Sequence, residues 1–204
     1  MPDPATARFA ISRTLPPDRR AEVARLYWQA FGGKLGRILG PEPRAMAFLL
    51  RAIRDDHCLL AVAPDGQVLG VAGYKTRQGS FAGGSVDDLH AVYGRFGTAW
   101  RLALLRLLQR DVEHARFLMD GLCVLPEARG QGVGRALLAA ICDEAAARGY
   151  AEVRLDVVDT NDRARALYER EGFRPVATEG IGPLRYVFGF ASATTMIRPS
   201  GSTG

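Results

Sequence analysis

The sequence predicts a single α/β domain: one mixed, mostly antiparallel sheet of six to seven strands with flanking helices. Three observations carry this. Residues 59–63 and 67–75 are apolar runs around Pro64-Asp65-Gly66, and read as an antiparallel hairpin. Residues 117–148 read as strand, glycine loop and long helix. Residues 153–178 repeat strand, helix and strand, and the helical crossover makes the strands at 117–125 and 153–158 parallel neighbours.

The elements follow in order. Residues 1–7 are rich in Pro and Ala and are expected to be a flexible tail. Phe9 and Ile11 alternate with polar residues, which predicts a first strand ending near Thr14. Asp18, after Pro16-Pro17, is a candidate helix cap. Ala21, Ala24, Leu26, Tyr27 and Phe31 form a helical stripe that Gly32-Gly33 ends or breaks, with a further turn at 34–39. A second helix is predicted at 42–54, with Met46, Phe48, Leu49, Leu50 and Ile53 inward.

Residues 78–116 form a helical insertion between the third and fourth strands. It holds a glycine-rich stretch, a short helix at 87–93 and a longer one at 98–111 carrying Trp100, Leu104, Leu105, Leu107 and Leu108. After the last helix, 162–171, a sixth strand is expected at 174–178 and a seventh between 184 and 197, where Tyr186, Phe188 and Phe190 alternate. Residues 199–204 read as a second flexible tail, leaving a domain of 8–198.

The stretch around the glycine loop carries the chemistry. Leu122, Cys123, Val124 and Leu125 end at Pro126, which cannot donate to a sheet ladder. Gly130, Gly132 and Gly134 then lead into a helix whose unpaired N–H groups and dipole point back at the loop, a ready anion site. A P-loop ending of Gly-Lys-Ser/Thr is missing, and the G-x-G-x-G spacing departs from the dinucleotide fingerprint.

The pattern Arg129-x-x-Gly132-x-Gly134, after Val124-x-Pro126-Glu127, resembles the coenzyme A loop of the GNAT superfamily of N-acetyltransferases. A second motif agrees: strand 153–158, Asn161, Ala164-x-x-x-Tyr168 and Gly172-Phe173 are similar to the next GNAT motif. The resemblance runs from about Met119 to Phe173, and loosely over the whole chain. It implies a GNAT-like domain whose central parallel strands splay apart, and acetyl-CoA as cosubstrate.

The resemblance implies roles for single residues. The main chain of Gly130, Gln131, Gly132, Val133, Gly134 and Arg135, with Arg129, holds the pyrophosphate. Leu122, Cys123 and Val124 pair with the pantetheine arm, the Val124 amide polarises the thioester carbonyl, and Asn161 binds the arm from the other wall. Tyr168 stands where the general acid often lies, and a phenol near pKa 10 can serve a thiol near about 8.5. Its alternative role is packing on the sheet. An alkyl ammonium near about 10.4 needs a base. Asp156, five residues before Asn161, matches a Glu base of ribosomal-protein alanine acetyltransferases but is one methylene shorter. It acts through water, or is only a polar residue on a half-exposed strand. Asp120 and Glu127 are weaker candidates, and Asp87 and Asp88 attract a cationic acceptor or are solvated surface.

The implied function is transfer of acetyl to a primary amine by direct attack in a ternary complex, with a small-molecule acceptor. The alternatives are a protein N-terminal or lysine acetyltransferase and a non-catalytic acyl-CoA-binding regulatory protein. The insertion borders the acceptor groove and reads as a lid or a homodimer contact. Tyr27, Trp28 and Phe31 line that groove or are core.

Composition narrows the classes. The 204 residues are 48% hydrophobic and 24% charged, an ordinary globular balance. There is no long apolar run and no signal-like start, so a cytoplasmic location and no membrane partner are expected. Cys58, Cys123 and Cys142 suit neither a disulfide framework nor metal-ligand spacing with His57, His90 and His114, so no metal is expected. Net charge is +5, nearly all of it Arg, but it is diffuse and lacks stacking aromatics. Nucleic acid is therefore not the expected partner.

Overall fold

The computed structural model describes residues 8–108 and 116–201. The tails 1–7 and 202–204 and the end of the predicted 98–111 helix, from residue 109, lie outside the described residues. Eight strands form one sheet: β1 Ala10–Ser12, β2 Cys58–Val62, β3 Val68–Thr76, β4 Gly79–Ser80, β5 Phe117–Val124, β6 Glu152–Val158, β7 Arg174–Gly180 and β8 Ser192–Pro199. Their order is β1-β2-β3-β5-β6-β8-β7, with the two-residue β4 added to β3. All neighbours are antiparallel except β5 and β6. The GNAT-like α/β class is borne out, with the short β4 as the strand beyond the expected count.

Helices cover both faces. On one lie α1 Arg20–Leu39, α2 Glu42–Ala52, α3 Val86–Leu108 and the short α6 Arg185–Phe188. On the other lie α4 Val133–Ala147 and α5 Asp162–Arg170. Strand alternation feeds two cores: in β6, Val153, Leu155 and Val157 pack toward α4. Arg154 and Asp156 therefore face the α1 side.

Several local expectations are corrected. The first strand stops at Ser12, and a 3-10 turn at Pro17–Arg19 precedes α1, so Asp18 caps nothing. Helix α1 runs through Gly32-Gly33 to Leu39. Interior glycine costs about 1 kcal/mol, but burial of Ile38 and Leu39 beyond it and the Trp28 ring over Gly32 outweigh that. Tyr186 and Phe188 lie in α6 rather than a strand, because three alternating aromatics also suit a helical turn anchored by one side chain. Phe188 is that anchor, buried against the α1 side, while Tyr186 is exposed. At the second tail, Pro199 closes β8 and the Ser200 amide donates to the Ala151 carbonyl.

In the insertion, Gly94 (φ 67°, ψ 174°) breaks α3 into the two expected helical pieces. Trp100 is partly exposed and carries the Arg101 guanidinium 4.3 Å from its ring, whereas Leu104 and Leu105 reach the core. Asp88 forms a reciprocal capping box with Ser85 and pairs with Arg51 at 3.2 Å. The Ser85 hydrogen bonds, with Arg51 assisting, hold its carboxyl below the ordinary range. That assigns Asp88 to the helix start rather than to an acceptor.

Strands β5 and β6 pair only at Phe117↔Val153 and Leu118↔Arg154, and then part. Phe117 sits at this vertex, fully buried, with the Tyr74 and Tyr150 rings at 4.8 and 5.4 Å. Phe117→Ala is expected to destabilise the domain by about 3–5 kcal/mol. Thermal denaturation should show a Tm lower by roughly 10 °C or more.

Candidate active site

Past the vertex, the gap between β5 and β6 widens into a cleft of about 950 Å³, walled also by α1, the glycine loop, the start of α4 and α5. Its β5 wall is shaped by a bulge. Tyr74 pairs with Met119 but Gly73 with Gly121, so Asp120 is the extra residue. Before it, Phe117 and Met119 pack toward α4; after it, Leu122 and Val124 do, while Cys123 joins the α1-side core. Phe31 of α1 packs where a side chain on Gly121 would stand.

The backbone on this wall is polarised by register. The Leu125 amide donates to the Leu69 carbonyl of the β3 side at 2.9 Å. Alternation then turns Cys123 toward β3, and the amides of Leu122 and Val124 toward the edge that β6 has left. The Val124 carbonyl accepts from Arg129 Nε at 3.4 Å.

At the mouth, a 3-10 turn at Pro126–Ala128 leads into the loop. Gly130 and Gly132 have φ of 77° and 83°, a left-handed backbone that only glycine adopts readily. Gly132 is the N-cap of α4 and has no side chain to occupy the first amides of the helix. A side chain on Gly130 or Gly132 would meet nothing within 4 Å, because both positions face the open cleft. Gly134 differs: there a Cβ would stand 3.2 Å from Leu167, so its smallness lets α4 and α5 approach. A row of amides facing open space at a helix start fits a diphosphate.

The other wall comes from β6 and α5. Asn161 caps α5, its Oδ1 accepting from the Ala164 amide at 3.2 Å, which leaves its NH2 group to donate elsewhere. Tyr168 is buried two turns later, its ring 6.0 Å from that of Phe173. No hydrogen-bond partner for its hydroxyl is found among the described residues. Burial, with the nearby Cys123 assisting, pushes the Tyr168 phenol up to about 12. Asp156 lines the same cleft; the Thr195 hydroxyl donates to it at 2.6 Å, and Arg154 stands 3.4 Å away.

The cleft thus gathers Leu122, Cys123, Val124, Arg129, Gly130, Gly132, Val133, Gly134, Arg135, Asp156, Asn161 and Tyr168. Gln131 does not line it: its side chain folds back to the Glu127 carbonyl at 2.8 Å. Arg135 reaches outward to Glu171 at 3.6 Å. Asp120 also lines the cleft and accepts from Ser80 Oγ at 2.6 Å, while Glu127 lies outside it.

Sequence reasoning missed Lys34, Arg163 and Arg170, which also line the cleft. Lys34 Nζ stands 5.9 and 5.8 Å from the Phe31 and Phe190 ring centroids. Burial lowers its ammonium from the ordinary lysine range, with Asp159 opposing. No local motif could have found it, since it joins the site through α1 packing.

The sequence profile described as "Acetyltransferase (GNAT) family" matches residues 20–173. The chain belongs to the GNAT acetyltransferase family. A curated GNAT relative is the mycothiol acetyltransferase of Clavibacter michiganensis subsp. michiganensis, 31% identical over 176 residues. That match covers 79% of this chain and 53% of the relative. This chain spans about half, or less, of the length of the curated relatives it matches.

Solved structures agree on the GNAT fold. Ard1 from Thermoplasma volcanium superposes with a TM-score of 0.61 at 18% identity, covering 96% of this chain and 100% of that one. A GCN5-related N-acetyltransferase from Kribbella flavida gives 0.60 at 20% identity, covering 94% and 98%. Among the described residues no helix is long and apolar enough to cross a membrane.

Proposed function

We propose that this chain is an N-acetyltransferase that moves acetyl from acetyl-CoA to the primary amine of a small molecule, by direct attack in a ternary complex. The observation that carries the reading is the gap between β5 and β6, with the Leu122 and Val124 amides on its edge, the bare start of α4 at one end and Tyr168 inside. The coenzyme supplies an activated acetyl thioester. The amides of Val133, Gly134 and Arg135 bind its diphosphate, and those of Leu122 and Val124 pair with its arm as a strand would. The Val124 amide also offers a donor to the thioester oxygen as it gains charge.

The amine nitrogen bonds to the acetyl carbon as the carbon–sulfur bond breaks. A primary ammonium sheds two protons in becoming an amide. One leaves through Asp156, directly or by a water, to solvent. The second replaces the proton that Tyr168 delivers to the sulfur. Direct transfer is favoured over an acyl-cysteine because burial pushes Cys123 up to about 12, so its thiol stays protonated near neutrality.

A small acceptor is supported by the cover that α1, α2 and α3 place over the sheet face beside the cleft, and by curated relatives named for mycothiol rather than for a protein. The test is thiol release from acetyl-CoA with an amine panel. Initial rates with both substrates varied should give intersecting double-reciprocal lines; parallel lines would point to an acyl-enzyme. Asp156→Asn is expected to lower kcat/KM at pH 7 by roughly a hundredfold, the low end of general-base effects because a water can intervene. That deficit should shrink as pH approaches the amine's own pKa near about 10.4, where free amine no longer needs the base. A deficit constant with pH would remove Asp156 as the base.

A further inference from the structure

Beside the cleft, on the α1 face, a second cavity of about 280 Å³ lies over the part of the sheet where β3, β5 and β6 are still neighbours. Asp120 and Asp156 line both cavities, so the two share a wall of carboxylates. One rung further from the gap, Lys75 pairs with Leu118, and Leu118 with Arg154. Residues two apart on a strand are about 7 Å apart. The floor of the cavity is therefore dipolar: acids beside the thioester cleft and two cations one rung away.

These cations have donors to spare. The Arg154 side chain is only 14% exposed, and its Nε is buried without a hydrogen-bond partner among the described residues. Its contact with Asp156, at 3.4 Å, uses another nitrogen. The Lys75 ammonium likewise shows no ion pair or hydrogen bond among the described residues, though it lines the cavity. A buried guanidinium N–H without an acceptor is rare enough in native structures to call for a ligand or water partner. Ser80, which donates to Asp120, and Tyr27 also line the cavity, and Leu35, Leu39, Phe48 and Leu49 give it an apolar side. The volume lies just under the range of about 300–1,000 Å³ typical for drug-sized ligands.

We infer that the acceptor is a small amino carboxylate with an apolar side chain. Its ammonium faces Asp120 and Asp156, its carboxylate engages Arg154 and Lys75, and its side chain lies against the leucines and Phe48. A simple amine leaves the cations unused, and a carboxylate without an ammonium group is repelled by the two acids. The inference rests on the acetyl-transfer reading and adds to it the acceptor's second charge.

The test compares leucine and phenylalanine with isopentylamine and phenethylamine, which lack only the carboxylate. Thiol release is read at saturating acetyl-CoA, and Tm shifts of the CoA-bound protein report binding without turnover. An ionic contact to a charged partner predicts KM at least about tenfold lower for the amino acids. Arg154→Gln should raise the KM of the amino acids about tenfold, clearly more than it affects the amines, and be partly rescued by Arg154→Lys. Equal KM values for acids and amines, or an equal loss for both in Arg154→Gln, overturn the inference; the wild-type comparison decides even where the variant does not fold. If acetyl-CoA binds but no amino acid is acetylated or shifts Tm, the acceptor assignment falls alone. If acetyl-CoA does not bind, the acetyl-transfer reading falls with it.

Discussion

Gly132→Val is expected to abolish measurable acetyl-CoA binding. Two effects act together. At φ 83° a β-branched residue is strained, and a left-handed backbone costs an L-residue roughly 1–2 kcal/mol. A Cβ at this position also projects into open cleft, meeting nothing within 4 Å, so the isopropyl group would stand where a diphosphate approaches the amides. Hydrogen bonds to a charged partner contribute about 1.5–3 kcal/mol each. Losing two of them weakens binding by at least roughly a hundredfold. Titration calorimetry should detect no heat while far-UV circular dichroism stays native. Gly132→Ala separates the effects, keeping the strain with less bulk, and should retain weak binding. Affinity within about threefold of wild type in the valine variant would mean that the loop does not hold the phosphates.

Tyr168→Phe should lower kcat by roughly a thousandfold, within the usual range of general-acid effects, while KM for acetyl-CoA stays near wild type. The phenol is buried, and Phe keeps the ring that packs near Phe173, so the change removes little besides a proton donor. With the Tyr168 pKa raised to about 12 by burial, the phenol is protonated throughout the assay range. Its ionisation therefore imposes no loss of rate below about pH 11, and the deficit in Tyr168→Phe should be flat from pH 7 to 10. A leaving thiol of lower pKa in the acyl donor should narrow the deficit. Equal losses in kcat and in coenzyme affinity would make the ring structural.

The fold was most legible where local chemistry and the global arrangement agree. The hairpin at β2–β3, the glycine loop before α4 and the capped α5 each declare themselves over a few residues. The loop and strand candidates were local in the same way, and all but Gln131 line the cleft. Legibility ended where long-range packing decides. The continuation of α1 past Gly32-Gly33 depends on what Ile38 and Leu39 meet, and the shape of 185–190 on where Phe188 finds a core. Lys34 and the Lys75–Arg154 rung enter only through tertiary packing and strand register. No spacing in the sequence relates residue 75 to residue 154.

The extra residue at Asp120 carries a consequence for how this strand can change. It resets which layer each later side chain serves, and which edge each later amide addresses. Deleting it would leave β5 a regular partner of β3, with Leu122 and Val124 still in the α4 layer and their N–H groups still at the open edge. A residue added beyond the bulge would instead turn over everything that follows it. This strand can shorten by the one residue that loops out, but it cannot lengthen without losing its register with β3.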